Sequence, residues 1–392
     1  RTSSTRAPRA RRPFGWRADR QPPDPAGARR AAGAGRAGLL RYQDRFDNHS
    51  PCYAGEAGVG MPPHVRALIK EADVILALNI RFGEMTTDAY TLLEVPVPKQ
   101  KIIHVHASAA EIGKIYQPTL GIVAGPNAFA AALRPVHGAW SDWRAKARAG
   151  YEASFNAPPQ PSPVDMVAVT AHLREVLPED AVLTNGAGNF TVWPNKFYRY
   201  GPKARLLAPQ SGAMGYGLPA AIAAKVADPS KTVVCFAGDG DFQMNCQELA
   251  TAAQHGAQPI VLILNNGIYG TIRAHQERNY PGRVSGTDMF SPDFAALARA
   301  YGFHGERVET TADFPAAFAR ALASKTGAVL DLNISPEALT ASVAKVRANT
   351  RFSTLSTASP FSAIVNSRPL VVPQSASRMM TSCATSTRRR VR

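Results

Sequence analysis

An aspartate and an asparagine, each just beyond the end of an apolar run, are the residues of this sequence best suited to hold a charged ligand. Asp239 stands in Gly238-Asp239-Gly240-Asp241 after the run 232–237, and Asn266 stands in Asn265-Asn266-Gly267 after the run 260–264. One carboxylate, one amide oxygen and a nearby backbone carbonyl make half of the octahedral oxygen shell that Mg2+ prefers, leaving the remaining positions to phosphate oxygens and water. Gly238 and Gly240 let the backbone approach a phosphate closely, and amides opening the next helix suit an anion. The side chain of Asp241 would repel a phosphate unless it turns away, so only a backbone contact is assigned to it. Gly-Asp-Gly alone is usually a turn and Asn-Asn-Gly a common loop. The 24 residues between Gly240 and Asn265, patterned as one helix and one strand, make the combination specific.

Two such residues meet only if their strands are neighbours, and a right-handed βαβ crossover tends to place them so. The surrounding pattern fits: helix 164–177, strand 181–184, helix 218–226, strand 232–237, helix 246–255, strand 260–264, helices 293–301 and 313–324, strand 328–334. In an open parallel sheet of this kind ligands bind beyond the carboxyl ends of the strands. Upstream, helix 64–71, strands 74–78 and 101–106 and a helix at 110–115 form a second α/β unit, and the prolines at 158, 159, 161 and 163 mark an extended linker. The predicted fold class is α/β, with two doubly wound parallel-sheet domains flanked by disordered basic tails. The boundaries are a low-complexity tail 1–40, a partial Rossmann-like central domain 41–156, a ligand-binding domain 164–342 and a Ser/Thr/Arg-rich tail 343–392.

The 392 residues are 45% apolar, which suits a chain that buries a core, and Lys, Asp, Gly or Pro interrupts every apolar stretch before it could span a bilayer. Net charge is +16, but residues 1–41 carry +9, residues 343–392 carry +9, and residues 42–342 carry −2. The basicity belongs to the ends, so a nucleic-acid role for the core is not expected. Cys52, Cys235, Cys246 and Cys383 form no C-x-x-C pair, which points to reduced thiols in a cytoplasmic protein, with Cys235 a small buried hydrophobe. The Arg-rich start has the composition of a transit peptide, but a similar composition returns at the other end. Both ends are read as foreign to the fold, products of truncation or a reading-frame error.

With these residues in place, the pattern resembles the diphosphate-binding motif of thiamine-diphosphate enzymes, and "GDGDFQMNCQELATAA" resembles the acetolactate synthase group. The resemblance implies that Asp239 and Asn266 ligate Mg2+ through side chains and Ile268 through its carbonyl, with Gly238, Gly240, Asp241 and Phe242 around the diphosphate. The string from Ser211 to Pro219 matches the same group. There Met214 resembles the bulky residue that props the cofactor into a bent form, and the Gly212 carbonyl would accept from the aminopyrimidine. Gly188 and Asn189 count with these as cofactor-binding. Bending would set the cofactor's own amino group beside its reactive carbon as an internal base, so the cofactor performs the hard step of 2-oxo acid decarboxylation. "ADVILALNIRFGEMTT" and "KIIHVHASAAEIGKIYQP" resemble the central domain, which holds FAD in several members, and Arg81 is the residue to watch for that contact.

The match also fails in places. Members normally begin with a pyrimidine-binding domain carrying an activating Glu, which residues 1–40 are too short and polar to form. No catalytic Glu is assigned, and the chain is expected to be truncated and inactive alone unless a full-length homologue, pairing as in a dimer, supplies that domain. Where acetolactate synthases resemble Gly-Gln-His-Gln, this chain reads Gly188-Asn189-Phe190-Thr191, and His275 replaces a Trp after the Asn-Asn loop. These changes imply a sibling decarboxylase or carboligase, a lyase or transferase acting on a small 2-oxo acid. His275 and Glu277 are candidates for an acid and base in its pocket, or ordinary surface residues. Two other classes stay open: a non-catalytic cofactor-binding subunit, and an anion-binding protein acting through its tails.

Overall fold

The alternation of apolar runs with amphipathic stretches builds three parallel sheets in the computed structural model, which describes residues 36–39, 42–58, 60–134 and 140–338. The first part holds β1 (Arg36–Leu39), β2 (Tyr53–Ala57), α1 (Pro63–Glu71), β3 (Val74–Leu78), β4 (Lys101–His106), β5 (Leu120–Val123), α2 (Pro126–Ala132) and α3 (Ser141–Ala153). Strands β1 and β2 pair with each other, while β3, β4 and β5 form a separate sheet in that order. Ala57, Val65, Ala77, Ile102 and Tyr116 make the small core between them. Arg36–Leu39 lies inside the stretch read as a tail, yet it pairs with β2, so folded chain begins no later than Arg36. The remainder of that stretch, and residues 339–392 with the other tail, lie outside the described residues. The helix expected at 110–115 is only the 3-10 turn Ala109–Glu111, because Gly113 takes a left-handed φ of 78° that a helix cannot contain.

The second part holds α4 (Met166–Val176), β6 (Val182–Asn185), α5 (Val192–Lys196), β7 (Arg205–Leu207), α6 (Gly217–Ala227), β8 (Val233–Gly238), α7 (Asp239–Gln243), α8 (Leu249–Gln254), β9 (Ile260–Asn265), α9 (Gly270–Asn279), α10 (Phe294–Ala300), β10 (His304–Val308), α11 (Phe314–Ala323) and β11 (Ala328–Asn333). Its six strands run parallel in the order β10-β11-β9-β8-β6-β7. Central strands are buried on both faces, as parallel sheets demand. Leu183, Val234, Phe236, Leu262 and Leu330 pack one way, onto Trp193, Leu173 and Phe318. Cys235, Ala237, Val261, Ile263 and Val329 pack the other way, onto Leu218, Leu249 and Phe294. Asp165 and Asp293 cap α4 and α10, accepting from Val167 N (2.9 Å) and Ala296 N (2.8 Å).

The order of the sheet decides where a ligand fits. From β6 the chain steps outward to β7, then crosses back over β6 to lay down β8 and β9, so the winding direction reverses between β6 and β8. A reversal opens a crevice at the carboxyl ends of those strands. The segment before β2 is pinned to this second sheet: Asn48 N donates to Tyr200 O (2.9 Å), Tyr200 N donates to Asn48 Oδ1 (3.0 Å), and Leu206 N donates to Asp44 Oδ2 (3.3 Å). No helix among the described residues is long and apolar enough to cross a membrane.

Candidate active site

Gly238 at the end of β8 lies opposite Leu264 of β9, and Asn185 at the end of β6 lies opposite Phe236 of β8, so the loops leaving these three strands rise side by side. Asp239, the first residue beyond β8, is buried. Its Oδ2 accepts from Gly267 N (2.7 Å), Asn266 N (3.2 Å) and Ser291 Oγ (3.2 Å), and its Oδ1 accepts from Gly240 N (2.9 Å). The structure therefore brings Asp239 onto the Asn266 loop. The side-chain oxygen of Asn266 accepts from Ile268 N (3.2 Å), and the Ile268 carbonyl accepts from Gly270 N (2.9 Å), which leaves each oxygen a second lone pair.

Asp241 is buried too, and its side chain turns away from the Asn266 loop. Its Oδ1 accepts from Ala187 N (3.0 Å) beyond β6 and from Gly215 N (2.9 Å) before α6. One carboxylate thus ties together the 186–191 loop, the 212–217 loop and the β8 tip. Gly186 makes room for the carboxylate, and Gly215 for the neighbouring Asn245. A Cβ on Gly186 would lie 1.9 Å from Asp241 Oδ1, and Gly215, at a φ of 80°, would press a Cβ to 2.8 Å from Asn245 Nδ2. Asn245 Nδ2 in turn donates to the Gly215 carbonyl (2.9 Å).

Gly212 and the half-buried Met214 sit on this same braced loop. Across the crevice, Thr271 Oγ1 donates to Asn189 Oδ1 (3.0 Å) and accepts from Asn189 N (3.0 Å), locking the β6 loop to α9. Phe190 folds over Gly188 and Gly238: a Cβ on either glycine would meet its ring within 3.0 Å. Phe242, counted among the cofactor-binding residues, buries its ring against Phe294 at a centroid distance of 5.5 Å. Its side chain serves the core, because the short α7 turns that face inward. His275 and Glu277, two positions apart on α9, do not share a face. His275 is exposed, while Glu277 pairs with Arg273 (3.5 Å) and accepts from Gly282 N (3.4 Å), so no acid and base pair is assembled there. Arg81 is exposed and pairs with Glu111 (3.3 Å).

Sequence reasoning missed Gly186, Asn245, Thr271 and Ser291. Gly186 carried a local signal, a glycine two residues past the predicted strand 181–184. Ser291 carried none. It reaches Asp239 because the 280–293 loop folds back, with Tyr269 N donating to Thr287 O (2.9 Å) and Met289 N to Gly267 O (2.9 Å).

The donor set sets the chemistry. Burial raises the pKa of Asp239 and pushes that of Asp241 up to about 6, opposed by backbone and hydroxyl donors, and neither carboxylate forms an ion pair among the described residues. A buried carboxylate such as Asp239, with no ion pair among the described residues, favours a bound cation. No cluster of three or more His, Cys, Asp or Glu able to hold a metal occurs among the described residues. A metal here would take one carboxylate, one amide oxygen and one carbonyl, a hard oxygen half-shell completed by a ligand, which fits Mg2+ with a diphosphate and not a closed zinc site.

Residues 186–332 match the family model "Thiamine pyrophosphate enzyme, C-terminal TPP binding domain", and residues 37–133 match "Thiamine pyrophosphate enzyme, central domain". The chain belongs to the thiamine pyrophosphate enzyme family. It is similar to the acetolactate synthase of Arthrospira platensis, at 32% identity over 312 residues, 76% of this chain and 53% of that one. It is also similar to the acetolactate synthase large subunit of Parasynechococcus marenigrum, at 30% over 306 residues (75% and 49%), and to the acetolactate synthase of Mycobacterium bovis, at 35% over 264 residues (63% and 42%). Within the family the chain is acetolactate synthase-like. It spans about half the length of the relatives it matches.

Proposed function

We propose that this thiamine pyrophosphate enzyme holds thiamine diphosphate through Mg2+ at the tips of β8 and β9 and acts on 2-oxo acids, by decarboxylation followed by ligation or protonation. The observation that carries the reading is Asp239, a buried carboxylate with no ion pair among the described residues, clamped onto the backbone of the Asn266 loop. Asp239 and Asn266 would offer side-chain oxygens to the metal, and Ile268 its carbonyl. Gly240 and the Asp241 backbone would face phosphate. Gly212 and Met214 would hold the rest of the cofactor from the opposite loop.

When bound, thiamine diphosphate supplies the electron sink that lets carbon dioxide leave a 2-oxo acid. The chain's own contribution is placement. Four donors fix the Asp239 carboxylate before any ligand arrives, so little side-chain entropy is lost on binding. Asp241 spends its charge on Ala187 and Gly215, which removes it from the path of a phosphate and holds the Met214 loop in register with the β6 loop. Phe190 gives the β6–β8 junction an apolar cover that excludes water. Partners would be a small 2-oxo acid and a second subunit, either another copy or a full-length homologue.

Calorimetric titration with thiamine diphosphate tests the reading. Saturable binding that requires Mg2+ is expected, with Asp239→Asn and Asn266→Ala each weakening it roughly 100-fold. Mg2+-independent binding, or affinity unchanged in both variants, would refute the assignment. Because His275 and Glu277 do not meet, binding without turnover of any 2-oxo acid would favour a non-catalytic cofactor-binding subunit.

A further inference from the structure

At the opposite end of the six-stranded sheet, among the residues that lead into β6 and β7, lies a cavity of about 520 Å3 with no part in the site above. Its lining includes Arg174, Arg199, Lys203, His49 and Glu179. The charges there do not balance. Glu152 pairs with Arg148 through one oxygen and with Arg199 through the other, so a single carboxylate already serves two guanidiniums. Arg174, beside Arg199, makes no ion pair among the described residues. It donates to the Phe197 carbonyl and lies over the Phe155 ring at 5.2 Å, and the Arg199 guanidinium lies over the same ring at 4.4 Å. Glu175, the next residue to Arg174, is exposed, and Lys203 and Glu179 form an exposed pair at 3.2 Å that holds neither side chain firmly. His49 is turned to Asp47 at 3.2 Å.

Two further observations bear on this cluster. Among the described residues the buried Arg199 Nε meets no hydrogen-bond acceptor. Arg174 is half-buried, and burial first, then Arg199, lower its pKa. Like charges brought together in a partly closed space, with an unmet donor among them, are satisfied by an anion. The planar forks of two guanidiniums match a tetrahedral or planar oxyanion bidentately. The volume exceeds one phosphate and falls within the range of small-molecule sites.

We propose that this cavity binds a small organic phosphate monoester, its dianionic phosphate held between Arg174 and Arg199 and its body lying toward Lys203 at the mouth. A phosphate monoester carries about −1.5 to −2 charges near pH 7, enough to offset the surplus. The proposal stands apart from the cofactor reading, since its residues approach the sheet from the amino ends of the strands.

The test is titration of the full chain, in chelator and without Mg2+, with glycerol 3-phosphate, inorganic phosphate and succinate as probes. Saturable binding of glycerol 3-phosphate is expected, with inorganic phosphate competing more weakly and succinate more weakly still. Arg174→Gln should reduce the affinity at least about 10-fold, in line with loss of a charge-assisted pair. Arg174 also supports Phe197, so Lys203→Gln, an exposed substitution that leaves the fold alone, provides the second variant and should reduce it roughly 2- to 5-fold. Thiamine diphosphate binding in the presence of Mg2+ should be the same in both variants and the parent, which separates failure here from failure of the cofactor reading. Absence of saturable binding, affinity unchanged in both variants, or succinate binding more tightly than the phosphate ester would each overturn the assignment.

Discussion

Replacing Gly186 by alanine probes the joint on which the strand tips depend. The added Cβ would lie 1.9 Å from Asp241 Oδ1 and 2.3 Å from Oδ2, so the carboxylate has to leave its place. Gly186 does not sit at a left-handed φ, so alanine's backbone is acceptable there and the penalty comes from space alone. With the carboxylate go the bonds from Ala187 N (3.0 Å) and Gly215 N (2.9 Å). Hydrogen bonds to a charged group contribute about 1.5–3 kcal/mol each. Partial relaxation recovers some of this, which leaves an expected loss of about 3–4 kcal/mol, a large share of the roughly 5–15 kcal/mol that holds a folded domain together. Urea unfolding followed by the fluorescence of the buried Trp193 would measure it. Repeating the substitution in an Asp241→Ala background isolates the clash: with no carboxylate to displace, Gly186→Ala should cost under about 1 kcal/mol. A single variant within about 0.5 kcal/mol of the parent, or an equal cost in both backgrounds, would refute the reasoning.

Glu56, fully buried, has its pKa raised by burial to about 7, against the opposing effects of Gln43 and Lys196. The folded chain therefore keeps a proton that the unfolded chain has lost, and this group's stabilisation is complete below about pH 4.5 and lost as pH rises through about 7. Glu56→Gln should remove up to about 3 kcal/mol of that slope, gaining on the parent at pH 8 and matching it near pH 4.5, and parallel stability profiles would contradict this. Asn48→Ala strips bonds to Gln43 O (2.9 Å), Phe46 O (2.8 Å) and Tyr200 N (3.0 Å) and should cost about 2–4 kcal/mol in denaturant unfolding. Gly240→Ala would press on Tyr269 (2.8 Å) and Met289 (3.0 Å), both side chains able to yield. Stability should change little while thiamine diphosphate affinity falls about 10-fold, and equal affinity would argue against a close approach at Gly240.

Periodicity and punctuation in the chain were enough to specify most of the second sheet. The apolar runs that became β8, β9 and β11 are buried on both faces, so their hydrophobicity is continuous and visible, and Asp165 and Asp293 mark helix starts by residue type alone. Other elements were invisible for the same reason in reverse. Strand β2 contains Gly55 and Glu56, β7 has three residues, and β10 reads His-Gly-Glu-Arg-Val, an edge strand in which Val308 alone is buried. The local sequence also marked Asp239 and Asn266 as a pair, through two strand ends separated by one helix and one strand. What local pattern could not contain is contact between segments far apart along the chain. That Asp241 turns to Ala187 and Gly215, that Ser291 reaches Asp239, and that Phe242 enters the core while Phe190 covers Gly238 depend on which loops the sheet order sets side by side. Arg148, Arg174 and Arg199 are unremarkable where they stand in sequence. They converge because α3, α4 and the turn before β7 pack together, and packing is decided by shape and burial across the whole chain, which no window of neighbouring residues records.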